Sequence, residues 1–453
     1  MSGHQHKGQK YITTIKRPNE MNRLIIKSVI ALLFITLLVS GCGSIKDPNQ
    51  PDTNDGGDKN EQDSGNIEPD ESKPDESEDD DELPADPDAD IKAEIQMMTL
   101  DEKIGQMFII GFEGAEITKE LQDMLETRAP GGVILFRSNV KNPEQLLELV
   151  NSIKITNSGR VPLFVSVDEE GGRVSRMPEV LSDIPSAAAV GEYGDIKVTY
   201  DIGTLLAEEI SSFGFNMDFA PVLDIMSNPD NTVIGDRSFG ITAQIVTEHG
   251  IELMRGIRDK GVVPVVKHFP GHGDTLADSH KELPVVEHDM SRLASFELVP
   301  FQKAVDENAD AVMVAHLIMK TIDPKNPATM SKAVITDLLR DQMGFDGVVM
   351  TDDMTMGAIV KNYDIGDAAV SSVVAGSDMI LVCHGYDKQS EAIDAVRSAV
   401  ETGFIDETRI DESVFRILRL KAKYMLEDGN IDSIDTDGLN KKIDGQLAKW
   451  YNR

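Results

Sequence analysis

Cysteine is almost missing from this chain: its 453 residues include two, Cys42 and Cys383. A disulfide framework is thereby excluded, and no internal disulfide is expected. Clustered basic residues are missing too, beyond the N-terminal segment. Lys and Arg total 44 against 79 Asp and Glu, for a formal net charge of −35. Neutralising phosphates needs Lys and Arg gathered on one face, so nucleic acid is not expected as a partner. Long apolar runs are absent as well. Ser28–Val39 spans twelve residues, short of the ~20 that cross a bilayer.

What is present is unevenly placed. Lys16, Arg17, Arg23 and Lys27 precede the Ser28–Val39 run, and Val39-Ser40-Gly41-Cys42 follows it. A positive region, an apolar stretch and a small-residue cleavage site make a secretory signal. The V-S-G-C ending resembles a bacterial lipobox, which implies Cys42 as the lipidated N-terminus of a mature protein. Residues 1–42 are therefore expected to be a signal peptide. Ile45–Asp90 holds nineteen acidic residues against three lysines. Such a segment buries too little apolar surface to offset its ordering entropy, so residues 43–90 are expected to form a disordered acidic linker.

The folded part is expected over residues 91–430. Thr99 and Glu102 have capping-box spacing. Eight short apolar runs follow: Met107–Phe112, Gly132–Phe136, Leu163–Val167, Asn216–Pro221, Val262–Val266, Ala311–Ala315, Gly347–Met350 and Met379–Cys383. Helix-like stretches separate them, among them Leu146–Ile155, Thr199–Phe213, Ala243–Asp259, Ser291–Glu307 and Lys388–Glu401. This alternation predicts an α/β fold, a single-domain (β/α)8 TIM barrel, with a doubly wound open sheet as the alternative. Glu412–Leu426 reads as a helix outside the barrel, and residues 431–453 as a polar C-terminal tail.

Polar residues stand at the ends of the apolar runs. Asp168 closes the third, Asp224 follows the fourth, and Lys267 and His268 end the fifth. His316 ends the sixth, Asp352 and Asp353 the seventh, and His384 the eighth. In a barrel these positions share the C-terminal rim, where active sites are built. The densest group is K-H-F-P-G-H-G-D-T-L-A-D-S-H at 267–280. One reading makes His268, His272, Asp274, His280 and a distant Asp metal ligands of types that suit zinc, although no H-x-H or H-E-x-x-H spacing falls on a regular element. The other is glycoside hydrolysis by a carboxylate nucleophile and a separate proton donor. Asp352 at a strand end would be the nucleophile. His280, oriented by Asp278, would protonate the leaving oxygen. Gly271 and Gly273 would let the loop close over the substrate, while His272 and Asp274 would shape it.

The same segment resembles the signature K-H-F-P-G-H-G-x-x-x-x-D-S-H of the β-N-acetylglucosaminidase branch of glycoside hydrolase family 3. Further matching blocks are M-T-L-D-E-K-I-G-Q-M at 98–107, D-E-E-G-G-R-V-S-R at 168–176, N-M-D-F-A-P-V-L-D at 216–224, I-G-D-R-S-F-G at 234–240 and T-D-D-M-T-M at 351–356. The resemblance implies Asp352 as nucleophile, Asp353 as a structural neighbour, and His280 with Asp278 as the acid/base dyad. It implies Asp168, Arg176, Arg237, Lys267 and His268 as holders of the terminal sugar hydroxyls. No role is implied for His316 or His384, and the 354–356 stretch reads as packing.

The function expected is a retaining exo-β-N-acetylglucosaminidase that needs no cofactor and no metal. Its substrate would be a GlcNAc-containing glycan or muropeptide. The enzyme would be a monomer, held by its lipid anchor at the extracellular face of a bacterial membrane. Hydrolysis of chitooligosaccharides is an alternative within the class. A non-catalytic sugar-binding lipoprotein is the alternative outside it. Water or phosphate could accept the sugar.

Overall fold

A computed structural model describes residues 88–157, 160–275 and 282–451. Cys42, Asp278 and His280 lie outside the described residues, as do the signal peptide and nearly all of the acidic linker. Eight parallel strands form one sheet: β1 (Phe108–Gly111), β2 (Gly132–Leu135), β3 (Phe164–Val167), β4 (Met217–Asp218), β5 (Val263–Phe269), β6 (Ala311–Val314), β7 (Val348–Thr351) and β8 (Ile380–Val382). Strands adjacent in sequence pair in turn, and β8 pairs with β1. A bridge between Met350 and Met379 closes the ring between β7 and β8, so the sheet is a barrel and not an open doubly wound sheet. Every barrel-strand residue is buried. That is why the strands read as unbroken apolar runs: a parallel sheet covered on both faces has no solvent side to alternate with.

The outer helices follow the strands. Thr99 begins Leu100–Gln106 with the expected reciprocal cap to Glu102. Helices Pro143–Thr156, Ile196–Ser211, Ala243–Arg258 and Tyr386–Glu401 stand where periodicity placed them. The expected Ser291–Glu307 helix is broken in two, Met290–Ser295 and Val299–Asp306, with Pro300 opening the second segment, where its missing N–H costs nothing. Glu407–Lys423 packs outside the barrel. The region expected to be a polar tail contains a helix, Thr436–Tyr451, that buries Leu439, Ile443 and Trp450 against the main core. These apolar residues are spaced by one and then two helical turns, a pattern obscured by the surrounding Lys, Asp and Gln.

Two strand ends depart from expectation, and both matter for the site. β4 stops at Asp218, where its register with β5 shifts: Val263 N–H donates to Asn216 O, but Val265 N–H reaches on to Ala220 O. The chain beyond it still tracks β5: Val265 N–H donates to Ala220 O at 3.0 Å and Lys267 N–H to Pro221 O at 3.1 Å. β5 in turn runs past Val266 to Phe269, with a register irregularity between those two residues. Lys267 and His268 therefore sit within the strand, at a bulge. Bulges re-aim side chains and are common beside active sites.

Candidate active site

At the C-terminal rim a cavity of about 420 Å³ is lined by residues from seven of the eight strand ends and the loops that follow them. Asp168, Arg176, Arg237, Lys267, His268 and Asp352, each singled out in the sequence, all line it. Asp353, His272, Cys383 and His384 line it too. Met356 does as well, so the 354–356 stretch is not packing alone.

The charged side chains form one connected network. Lys267 Nζ lies 2.6 Å from Asp168 Oδ1 and 2.6 Å from Glu170 Oε1. Arg237 donates to both oxygens of Glu170, at 2.8 and 2.7 Å, the fork geometry that makes Arg–carboxylate pairs strong. Its Nη2 also lies 3.3 Å from His268 Nε2. His268 Nδ1 meets Asp224 Oδ2 at 2.6 Å, and Asp224 Oδ1 accepts from His272 N–H at 2.6 Å. Arg176 Nη2 stands 3.8 Å from Asp168 Oδ2.

Burial sets the electrostatics. It would raise the Glu170 carboxyl, but Arg237 and Lys267 outweigh it and hold Glu170 well below the usual carboxylate range. Burial would lower the Lys267 ammonium, but Asp168 and Glu170 push it up. Burial would likewise raise Asp224, but His268 and His272 pull it down. The His272 imidazole is lowered, chiefly by burial. The cavity is thus lined by fixed charges whose hydrogen-bonding capacity is already oriented. A polyol fits such a wall, because a ligand lacking one hydroxyl would leave a buried partner unsatisfied.

The two aspartates after β7 differ in what they hold. Asp353 Oδ1 accepts from Thr355 N–H at 2.9 Å and Cys383 N–H at 3.0 Å, and its Oδ2 accepts from the Thr355 hydroxyl at 2.6 Å. Both oxygens are spent on the local backbone and turn. Asp352 accepts from Asp353 N–H at 2.8 Å and borders the cavity. His316, which had no assigned role, is fully buried below this corner. It joins Thr329 Oγ1 and Asp353 O, both at 2.9 Å, and so braces the backbone of the pair.

Of the residues offered as metal ligands, His268, His272 and Asp274 are described, and their side chains have separate partners. His268 is tied to Asp224 and Arg237. His272 Nδ1 meets Thr275 Oγ1 at 2.7 Å. Asp274 is shared between Ser227 and His288, at 2.9 and 2.6 Å, and so shapes the loop as expected. Among the described residues no three His, Cys, Asp or Glu stand close enough to hold an ion.

Residues 99–420 match the family model described as the glycosyl hydrolase family 3 N terminal domain. The chain belongs to glycosyl hydrolase family 3. It is 35% identical over 322 residues to a beta-hexosaminidase of Nitrosomonas eutropha, covering 69% of this chain and 91% of that one. It is 32% identical over 330 residues to beta-hexosaminidase A of Pseudoalteromonas piscicida, covering 67% of this chain but 55% of that longer protein. Among solved structures, the family 3 beta-N-acetylglucosaminidase from a Paenibacillus species superposes with a TM-score of 0.75 at 42% identity, covering 78% of this chain and 69% of that one.

Two members of this family 3 site escaped the sequence reading. Glu170 was given no role within the 168–176 block, yet it joins Lys267 to Arg237. Asp224 was noted only as a strand-end acid, yet it anchors both His268 and the loop at His272. Position after an apolar run was the signal available for Asp224. For Glu170 there was none in spacing. Its inward turn depends on Gly171 and Gly172, which adopt φ of +76° and +58°, a region that favours glycine. They close a tight turn in which Glu170 N–H donates to Val174 O at 2.9 Å.

Proposed function

We propose that this chain is a retaining exo-β-N-acetylglucosaminidase, acting on terminal non-reducing β-linked GlcNAc. The observation that carries the reading is the cavity itself: Asp352 borders the same pocket as the buried Asp168–Lys267–Glu170–Arg237–His268 network. The hexosaminidases and the acetylglucosaminidase that the chain resembles point to the same sugar. In this reading the Asp352 carboxylate attacks the anomeric carbon as the bond to the leaving oxygen breaks. The His280 imidazolium gives its proton to that oxygen, with Asp278 orienting the ring. Water then attacks the glycosyl-aspartate ester, His280 takes its proton, and Asp352 is released. The natural substrate in this reading is a peptidoglycan fragment such as GlcNAc–MurNAc. The signal-like N-terminus and Cys42 support an enzyme tethered beside the wall.

The test is nitrophenol release by the full chain from aryl β-N-acetylglucosaminide and from aryl β-glucoside, each with and without chelator. Chelator-insensitive preference for the N-acetyl sugar is expected. Preference for the glucoside would overturn the sugar assignment, and loss on chelation would restore the metal reading. Asp352→Ala is expected to lower kcat by about 10³-fold or more while the protein stays folded. A rate within tenfold of the parent would remove Asp352 as nucleophile. Sugar phosphate formed in phosphate buffer would identify phosphate as the acceptor.

A further inference from the structure

The mouth of the cavity carries a pair of stacked rings that the reaction above leaves unused. Phe136 follows β2 and His384 follows Cys383 after β8, so β1 lies between them in the barrel. The rings nevertheless meet, with centroids 5.0 Å apart and planes 28° from parallel. At the end of β1, Gly111 lets the strand approach the chain after β8 closely: a Cβ there would come within 2.2 Å of Cys383 O. His384 Nδ1 also faces Glu113 Oε1 at 3.6 Å. Both rings line the cavity.

Depth separates this pair from the charged network. The Lys267 side chain is 1% exposed and that of Arg237 13%, whereas His384 is 51% exposed. An enzyme that removes a terminal sugar takes that sugar into the closed end of its pocket, and the remainder of the substrate must extend through the mouth. The charged wall belongs to the closed end, and the rings belong to the mouth. His384 follows the strand beside the one that Asp352 follows, so the ring pair and Asp352 stand on neighbouring parts of the same rim. Aromatic faces suit the apolar C–H face of a pyranose, and a few polar groups beside them fix its orientation.

Resting on the glycosidase reading above, we propose that Phe136 and His384 form the platform for the leaving portion of the substrate, built to take a second pyranose ring. The experiment compares kcat/KM for a GlcNAc-terminated disaccharide with that for N-acetyl-β-glucosaminyl fluoride, whose leaving group is too small to reach the platform. For His384→Ala the disaccharide is expected to lose about fivefold more than the fluoride, the scale of a ring-stacking contribution. His384→Phe, which keeps a ring, is expected to recover most of that difference. Equal losses on both substrates, or no loss on the disaccharide, would overturn the platform. If the parent protein cleaves neither substrate, the glycosidase reading fails first and the platform falls with it. If the parent cleaves both, the variant ratio judges the platform alone.

Discussion

Glu170 neutralises two buried cations at once, and its removal tests whether the network is a scaffold for the sugar. Glu170→Gln keeps the size of the side chain but leaves Arg237 without a carboxylate and Lys267 with Asp168 alone. Breaking a buried pair by removing one partner is far costlier than the pair is stabilising, on the order of 3 kcal/mol. The expected outcome is a lower unfolding midpoint and a fall of about 100-fold in kcat/KM, measured on the aryl N-acetylglucosaminide. Activity within twofold of the parent would mean that Arg237 and Lys267 keep their positions without Glu170. The residues around it were legible in the sequence for a simple reason. Asp168, Lys267, His268 and Asp352 stand at the ends of apolar runs, and Arg176 and Arg237 lie in blocks matching the family. Glu170 shares its charge and neighbourhood with Glu169, and only the backbone of the Gly171–Gly172 turn decides which of the two faces the cations.

Among the elements, the described start of the loop after β5, residues 270–275, is closely packed. A Cβ at Gly273 would fall 1.8 Å from Ile225 O and 2.6 Å from Ile225 C. The start of the loop is thus packed backbone to backbone against the segment after β4, and Asn231 Nδ2 donates to His272 O at 2.8 Å to hold it there. Gly273→Ala must push these segments apart. We expect a stability loss of about 1–3 kcal/mol, seen as a lower denaturation midpoint, with turnover falling because His272 and the 274–275 turn move with the loop. An unchanged midpoint would show that the contact yields without cost, as a hinge would. Glycine in a sequence signals either freedom or close approach, and composition alone does not separate the two. The C-terminal helix was hidden for a related reason: its buried Leu439, Ile443 and Trp450 are few, and its hydrogen bonds are made by polar side chains. Asn440 both accepts from Ser182 N–H at 2.8 Å and donates to Val180 O at 2.9 Å, bracing the loop that leads away from Arg176.

At the scale of the whole barrel, all eight strands could be read because burial on both faces leaves each as one apolar run. The interior acids could not, because their effect depends on what surrounds them. Asp218, Glu169 and Glu209 are buried together behind the cation network. Asp218 Oδ1 accepts from Glu169 N–H at 3.0 Å, while its Oδ2 has no hydrogen-bond partner among the described residues. Burial raises Asp218 and Glu209 well above the usual carboxylate range, and raises Glu169 to about 7 despite its bond from Arg176 N–H. Each acid therefore holds its proton more tightly in the folded state than in the unfolded one. The folded state then binds more protons between the two pKa values, so stability falls as pH rises through that window. For Glu169 the loss begins near its ordinary value of 4.5 and is complete above about 7. Its size is on the order of 3 kcal/mol. Lys421 acts in the opposite sense and higher up: burial lowers its ammonium to about 7, so its share of stability grows from there toward alkaline pH. Glu169→Gln removes the first effect and leaves the second. Denaturant unfolding at pH 5 and pH 8 should show the parent losing stability between them and the variant losing less, with the variant the more stable protein at pH 8. A residual slope is expected from Asp218 and Glu209, which still titrate in the same direction. Identical slopes for parent and variant would mean that Glu169 does not change protonation on folding in this range, and that the Arg176 N–H bond outweighs burial.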